Sequence, residues 1–90
     1  MHYRLLITRQ AKDELRDLPG HVRQIATRIV SSLAENPFRP DAKELRDLPG
    51  RYRIRLQQWR IIYKVDEDEG AVVLLRVRRK TGPETYRNIE

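Results

Sequence analysis

The sequence contains no cysteine, and it has only one methionine, one tryptophan and one phenylalanine. A chain without thiols cannot form disulfides, iron–sulfur clusters, cysteine-ligated zinc sites or a cysteine nucleophile. No apolar run approaches the roughly 20 residues that a membrane span needs. The first ten residues also lack the apolar stretch of a secretory signal. From these absences we expect a cytoplasmic protein that has no membrane partner.

The charge balance is basic. The 90 residues include 19 Lys+Arg and 13 Asp+Glu, which gives a formal net charge of +6, and 39% of the residues are hydrophobic. This length predicts a single domain over residues 1–90, with a small core. The excess of positive charge favours a polyanionic partner.

The first half of the chain predicts one strand and two helices. Alternation over residues 2–8 indicates a half-buried strand, after which Thr8 is a suitable N-cap for a short helix that ends at Pro19 and Gly20. The second helix ends at Asn36, because a residue before proline is pushed out of the α region. Its apolar stripe has helical spacing and comprises Val22, Ile25, Ala26, Ile29, Val30 and Leu33.

Residues 38–50 follow Pro37 and contain Pro40, Pro49 and Gly50, and this pattern predicts a loop. The heptapeptide ELRDLPG occurs both at residues 14–20 and at residues 44–50. Because the flanks of the two copies differ, we interpret them as a shared stop signal or chance, rather than as a structural repeat.

From residue 51 onward the period changes to two. Strands are predicted at residues 51–56, 59–65 and 71–77, with an acidic turn at residues 66–70, and a short terminal helix is possible after Pro83. The predicted order is β-α-α-β-β-β. We therefore expect an α+β fold in which a twisted, mostly antiparallel sheet carries a helical hairpin on one face.

A two-residue turn at residues 57–58 would fix the register of the first hairpin. It places Leu56, Ile54 and Tyr52 opposite Trp59, Ile61 and Tyr63 on the helix side of the sheet. On the other side it pairs Arg55 with Arg60, Arg53 with Ile62, and Arg51 with Lys64. Gln-Gln is a poor dipeptide for a tight hairpin turn, so a longer turn is the alternative.

The last strand extends the basic face. If Val73, Leu75 and Val77 face the core, Arg76 and Arg78 join the basic side, and Arg79 and Lys80 follow at the end of the strand. Five basic residues and no acidic one lie in residues 51–64, and four more basic residues lie in residues 76–80. This pattern predicts a site for RNA or DNA phosphate; the alternative is a solvated face that only happens to be basic.

Other sites have less support. Nothing in the pattern brings His2 and His21 together as an acid–base pair, and no spacing of ligands predicts a metal site. The register assigns Trp59 to the core instead of to base stacking. Tyr86 differs from Trp59, because it lies in a polar, basic tail where no apolar periodicity assigns it to the core.

The chain resembles the RelE/ParE superfamily of toxins from type II toxin–antitoxin pairs, the RelE branch in particular. The resemblance covers nearly the whole length. It rests on the ordered segments YRLLIT, A-x-x-E-L-x-x-L-P, LAENP, KEL, GRYRIRL, WRIIYKV and R-V-R-R-K…T-Y-R. The family fold, a small antiparallel sheet with a helical hairpin on one face, agrees with the α+β fold that the periodicity predicts.

The resemblance implies a toxin that enters the ribosome and cuts translated mRNA without a metal or other cofactor, and that pairs with a cognate antitoxin. Its catalytic positions correspond here to Arg53, Arg55, Arg60, Arg79 (or Lys80) and Tyr86. We expect Arg51, Lys64, Arg76, Arg78 and Lys80 to bind RNA beside them. The resemblance is imperfect, since Arg78 stands where many relatives have histidine, and residues 81–83 lengthen the spacing to Tyr86.

Two alternatives belong to other functional classes. One is a ParE-like toxin that inhibits DNA gyrase and is not a nuclease. The other is a non-catalytic relative that binds RNA or the ribosome.

Overall fold

The computed structural model describes residues 2–89. Five strands and two α-helices follow one another, and a single 3₁₀ turn lies near the end of the described chain. Their bounds are β1 (Arg4–Ile7), α1 (Arg9–Arg16), α2 (Gly20–Ser32), β2 (Ala42–Glu44), β3 (Arg51–Leu56), β4 (Trp59–Asp66), β5 (Ala71–Arg79) and the 3₁₀ turn (Pro83–Tyr86).

The predicted α+β fold is confirmed, with one additional strand. The sheet has the order β1-β5-β4-β3-β2, in which β1 runs parallel to β5 and the other neighbours are antiparallel. Strand β2 lies within the segment for which the sequence predicts only a loop. Its three residues form an edge strand along β3, and so short an edge strand leaves no periodic signal in the sequence.

The predicted register of the β3–β4 hairpin is confirmed at all six pairs, from Arg51 opposite Lys64 to Leu56 opposite Trp59. The turn has two residues. Gln57 adopts a φ of 54°, in the left-handed region. Gln57 therefore adopts the positive φ for which a two-residue hairpin turn usually carries glycine.

Both helices pack on one face of the sheet, as predicted. Thr8 caps α1, because its Oγ1 accepts a hydrogen bond from the Ala11 backbone N–H at 3.1 Å. The main core joins apolar side chains from both helices to those of β3, β4 and β5: Ala11, Leu18, Val22, Ala26, Val30, Leu33, Ile54, Ile61, Tyr63, Val72, Leu74 and Val77.

Helix α2 differs from its prediction at two points. It ends at Ser32, before the predicted boundary at Asn36, because residues 33–35 continue as tighter turns with i→i−3 hydrogen bonds. Its buried stripe is also narrower than predicted, since Ile25 remains 38% exposed.

The orientation predicted for part of β5 is wrong. The register between β4 and β5 shifts between Ile62 and Tyr63, so Leu75 is an extra residue in β5. This bulge resets the alternation. Val72, Leu74 and Val77 therefore reach the helix-side core, whereas Val73 and Leu75 belong to a second cluster.

The second cluster lies on the opposite side of the sheet, which we call the outer face. Its buried members are Ile62, Leu75 and Ile89, and Tyr86 packs against them. Residues 81–89, which we call the C-terminal segment, thus return across a face for which the sequence predicts a basic, open surface. Ile62, the single apolar residue on that face in the predicted register, is fully buried beneath this segment.

Candidate functional site

The outer face carries two rows of basic side chains that cross the sheet. Cross-strand partners lie on the same side of a sheet, so the register places Arg55, Arg60 and Arg78 in one row. A second row runs across β2, β3, β4 and β5. It comprises Lys43, Arg53, Ile62 and Arg76.

Arg60 is the most buried of these cations, with 6% of its surface exposed. Its Nη1 donates to the backbone oxygens of Gln57, at 3.1 Å, and Trp59, at 2.8 Å. The guanidinium is therefore folded against the turn of its own hairpin. Arg60 and Arg55 are cross-strand partners with like charges, which repel each other. The two carbonyl dipoles offset part of that repulsion.

Arg76 is held by an acidic side chain to which the sequence alone assigns no role. Its Nε and Nη2 donate to the carboxylate of Glu14, with the shortest contact at 2.8 Å, and this hydrogen bond raises the pKa of Arg76. The same carboxylate accepts the backbone N–H of Val77 at 2.8 Å. The spacing of α1 gives no signal for this contact, because it joins positions 62 residues apart.

Arg78 is bound to the C-terminal segment. Its Nη1 donates to the carbonyl oxygens of Thr85, at 3.0 Å, and of Arg87, and its Nη2 approaches that of Asn88 at 3.4 Å. Burial and, secondarily, the charge of Arg76 lower the pKa of Arg78. Arg76 and Arg78, both expected from the sequence to bind RNA, thus have intramolecular partners.

Arg53 and Tyr86 line the same cleft, which has a volume of about 480 Å³. One wall is the loop that follows β2, with Leu45 and Leu48, and the other is the 3₁₀ turn of the C-terminal segment. Tyr86 is half-buried, and Arg55 is exposed two residues farther along β3. The structure therefore brings together two of the predicted catalytic residues, Arg53 and Tyr86, from distant parts of the chain.

Arg51 and Lys64 lie at the other end of the outer face. They are cross-strand partners and line a cavity of about 490 Å³, together with Ile89. Arg51 also donates from its Nη1 to the Pro49 oxygen at 2.8 Å. These two predicted RNA-binding residues are thus neighbours, and they belong to a different cavity from Arg53.

Arg79 and Lys80 lie where β5 ends. Arg79 is the cross-strand partner of Trp59, which packs against the main core as predicted, so Arg79 projects on the helix side of the sheet. Its Nη2 donates to Gln58 Oε1 at 2.6 Å. Lys80 is exposed just beyond the strand, and its backbone N–H bonds to the Gln58 oxygen. Neither residue lines the cleft of Arg53 and Tyr86.

Metal-binding clusters are absent from residues 2–89, where no three His, Cys, Asp or Glu side chains lie close enough to share an ion. The acidic turn between β4 and β5 has other partners. Glu67 accepts the Tyr3 hydroxyl at 2.8 Å, Glu69 lies 3.8 Å from Arg4, and Asp66 accepts the Glu69 backbone N–H.

None of the helices in the described part of the chain combines the length and apolar character needed to cross a membrane.

Comparison with known proteins gives a consistent set of similarities. A family model described as the ParE toxin of the type II toxin–antitoxin system parDE matches residues 5–81. Toxin RelG of Mycobacterium tuberculosis is 28% identical over 78 residues, which are 86% of this chain and 90% of that toxin.

Solved structures of RelE toxins have the same fold. A mutant of Escherichia coli RelE in the free state matches with a TM-score of 0.80 and 27% identity, over 96% of this chain and 92% of that chain. A RelBE toxin–antitoxin complex from M. tuberculosis matches with a TM-score of 0.75 and 28% identity, over 89% of this chain and 100% of that chain.

Proposed function

The chain belongs to the ParE toxin family of type II toxin–antitoxin systems, within the RelE/ParE superfamily, and on that premise we propose that it is a ribosome-dependent endoribonuclease that cuts translated mRNA. The observation that carries the proposal is the cleft that Arg53 and Tyr86 share on the outer face. A guanidinium and a phenol at one cleft supply the two groups that cleavage by the RNA's own 2′-hydroxyl requires, a phosphate ligand and a proton acceptor.

In the proposed reaction the 2′-oxygen forms a bond to the adjacent phosphorus, and the bond from phosphorus to the 5′-oxygen breaks. In the role of general base, the Tyr86 side-chain oxygen takes the proton of the 2′-hydroxyl. Arg53 and Arg55 bind the phosphate and stabilise the negative charge that grows in the transition state, with Arg60 adding positive charge from the next strand. The leaving 5′-oxygen takes up a proton from water. Arg79 and Lys80 have no step in the scheme, since neither lines the cleft. The scheme uses no metal or cofactor.

The partners we infer are mRNA on the ribosome and a cognate antitoxin. RelE toxins from E. coli, M. tuberculosis and Pyrococcus horikoshii have been solved in complexes with RelB antitoxins. An antitoxin that covers the outer face would neutralise the cations there, so we expect it to present acidic side chains to Arg53 and Arg55.

The test is cleavage of mRNA in a translating extract, with new 5′ ends mapped by primer extension. We expect ends within translated codons, and a loss of at least about 100-fold in cleavage for Tyr86→Phe and Arg53→Ala, because each removes a group at the reacting phosphate. Arg28→Ala changes an exposed arginine on α2 and is the matched control. Cleavage by Tyr86→Phe at the wild-type rate would contradict the role of Tyr86, and intact mRNA with the wild-type protein would contradict the nuclease.

Inhibition of DNA gyrase is the second candidate function. The family model that matches is that of ParE, and the intramolecular partners of Arg76 and Arg78 reduce the number of cations available to RNA. A supercoiling assay separates the two. Loss of gyrase activity on addition of the protein, with mRNA left intact, would establish this candidate, whereas binding to ribosomes without either effect would indicate a non-catalytic relative.

A further inference from the structure

The peptide groups on both sides of Tyr86 are held by one side chain. Arg78 Nη1 donates to the carbonyl oxygen of Thr85, the residue before Tyr86, and to that of Arg87, the residue after it. Asn88 supplies a third, longer contact at 3.4 Å. Arg78 itself is held in the sheet, because it pairs with Arg60 one residue before the end of β5.

From this geometry we infer that Arg78 is a positioning residue, which sets the Tyr86 phenol relative to Arg53 by binding the backbone on either side of it. The consequence for catalysis rests on the proposed nuclease function. The clamp, by which we mean the hydrogen bonds from Arg78 to the backbone around Tyr86, does not depend on that function, since it is a property of the fold.

The segment that Arg78 holds has little regular structure of its own. The 3₁₀ turn at Pro83–Tyr86 has four residues, and such short turns are not stable alone. Inside the segment, Thr85 N–H bonds to the Gly82 oxygen, and Thr81 N–H bonds to Thr85 Oγ1 at 2.9 Å. The segment is also attached by Ile89 and Tyr86, which pack against Ile62 and Leu75, and at Asn88 by a hydrogen bond from Arg76 Nη1 to its backbone oxygen at 3.3 Å. Arg78 is therefore the polar anchor that fixes the part of the segment containing Tyr86.

An arginine suits this task for a geometric reason. The planar guanidinium presents donors in a rigid fork, so it can bind several carbonyl oxygens at once, whereas a lysine ammonium is a compact charge on a flexible chain. Replacing Arg78 by lysine therefore separates the two roles open to this residue. If Arg78 only attracts RNA by its charge, lysine preserves the function; if it clamps the segment, lysine does not.

The first measurement is amide hydrogen exchange by NMR at Thr81, Thr85 and Arg87, whose N–H groups are bonded within the segment. We expect exchange at these amides to be at least about tenfold faster in Arg78→Lys and Arg78→Ala than in the wild type, because charged hydrogen bonds to the segment are lost. Amides of α2 report global stability and should change little. Arg28→Lys, which alters an exposed arginine on α2, is the matched control.

The second measurement is a double-mutant cycle in the translating extract. We expect Arg78→Lys to lower cleavage by about 10- to 100-fold, as displaced catalytic groups do, at an unchanged salt dependence. In a Tyr86→Phe background the same change should have almost no further effect, because Arg78 acts through Tyr86. A residue that only stabilises the fold, or only binds RNA, would lower the cleavage in both backgrounds equally.

Three results would overturn the inference. They are wild-type exchange at Thr81, Thr85 and Arg87 in Arg78→Lys, additive losses in the double-mutant cycle, and a loss of cleavage in Arg78→Ala that Arg78→Lys restores fully. If the wild-type protein does not cut mRNA, the proposed function fails, and the exchange experiment still decides whether Arg78 clamps the segment.

Discussion

At the scale of single residues, Glu14 links α1 to the exposed edge of β5. Strand β1 pairs only with residues 71–74, so the outer edge of the later part of β5 has no strand beside it. Glu14 covers that edge, accepting the Val77 N–H and binding Arg76 with the same carboxylate. Buried or half-buried donors need such partners, because an unmade hydrogen bond costs far more than a made one yields.

Replacing Glu14 by glutamine keeps the shape and removes the charge that Arg76 binds. Both side chains of this pair are about three-quarters buried, so we expect a loss of about 1–2 kcal/mol in the free energy of unfolding. Urea denaturation measures it. The control is Asp13→Asn on the same helix, whose ion pair with Arg16 is exposed and should contribute less than about 0.5 kcal/mol. Equal effects of the two substitutions would contradict the role of Glu14.

Tyr63 makes the stability of the folded protein depend on pH in the alkaline range. It is fully buried, its hydroxyl donates to the Pro37 oxygen at 2.6 Å, and burial raises the pKa of Tyr63 above its ordinary value. The neutral phenol is therefore the form that the folded state keeps, and stability is lost as the pH rises above the ordinary tyrosine pKa of about 10, where the unfolded chain ionises. Below that value the contribution of Tyr63 is fully present.

We expect the free energy of unfolding to fall above pH 10 by about 1.4 kcal/mol per pH unit from Tyr63 alone. Tyr63→Phe should remove this part of the slope, although at neutral pH it should be about 1 kcal/mol less stable than the wild type for lack of the hydrogen bond. Urea denaturation between pH 7 and 11 gives both quantities. Parallel curves for the two proteins above pH 10 would show that Tyr63 does not ionise on unfolding.

At the scale of elements, the β3–β4 hairpin fixes most of the outer face. Its two-residue turn sets the register that aligns Arg55 with Arg60 and Arg53 with Ile62. The turn itself is strained, since Gln57 has a φ of 54°, and an L-residue in this region costs roughly 1–2 kcal/mol. The surrounding pairs, Leu56 with Trp59 and Ile54 with Ile61, offset that cost by packing on the helix side.

Gln57→Gly should therefore stabilise the protein. Glycine adopts positive φ without strain, and after its larger entropy in the unfolded chain we expect a net gain of about 0.5–1 kcal/mol. Gln58→Gly is the matched control, since Gln58 is not in the left-handed region, and it should destabilise the protein. Thermal unfolding of the two variants tests the difference. A gain for Gln58→Gly in place of Gln57→Gly would mean that the turn has another conformation.

At the scale of the whole molecule, the net charge of +6 is distributed unevenly. Eight Lys and Arg side chains lie on the strands of the outer face. Several of them have intramolecular partners: Arg76 binds Glu14, Arg78 binds the C-terminal segment and Arg60 binds its own turn. Arg53 and Arg55 on β3 are the central cations for which no such contact is described. The arginines held by intramolecular contacts are therefore less available to RNA than Arg53 and Arg55.

The difference between Arg53 and Arg55 and the other arginines predicts the salt dependence of RNA binding. For a single strand, each phosphate contact contributes about 0.7 to the slope of log affinity against log salt concentration. We expect Arg53→Gln and Arg55→Gln each to reduce the slope by about that amount, while Arg28→Gln leaves it unchanged. Filter binding of a short RNA at several salt concentrations measures the slopes. Equal slopes for all four proteins would place the RNA elsewhere.

Much of the fold and part of the candidate site could be predicted from the sequence. The β3–β4 register followed from alternation on both sides of a two-residue turn that only Ile62 breaks, because a slip of one residue would exchange the apolar and basic faces. The same register placed Arg53, Arg55 and Arg60 on one face. These are local patterns, and neighbouring residues in the chain decide them.

Only the tertiary structure decided the orientation of β5 and the partners of its arginines. The bulge at Leu75 lies where Thr8 Oγ1 donates to the Leu75 oxygen and Glu14 binds Val77, contacts that join the two ends of the chain. The tertiary structure also places Tyr86 in the same cleft as Arg53, and it brings Arg78 into hydrogen-bonding distance of the segment that contains Tyr86. Periodicity determines which side chains share a face, but a contact between distant segments depends on how the whole chain packs, and no local pattern records it.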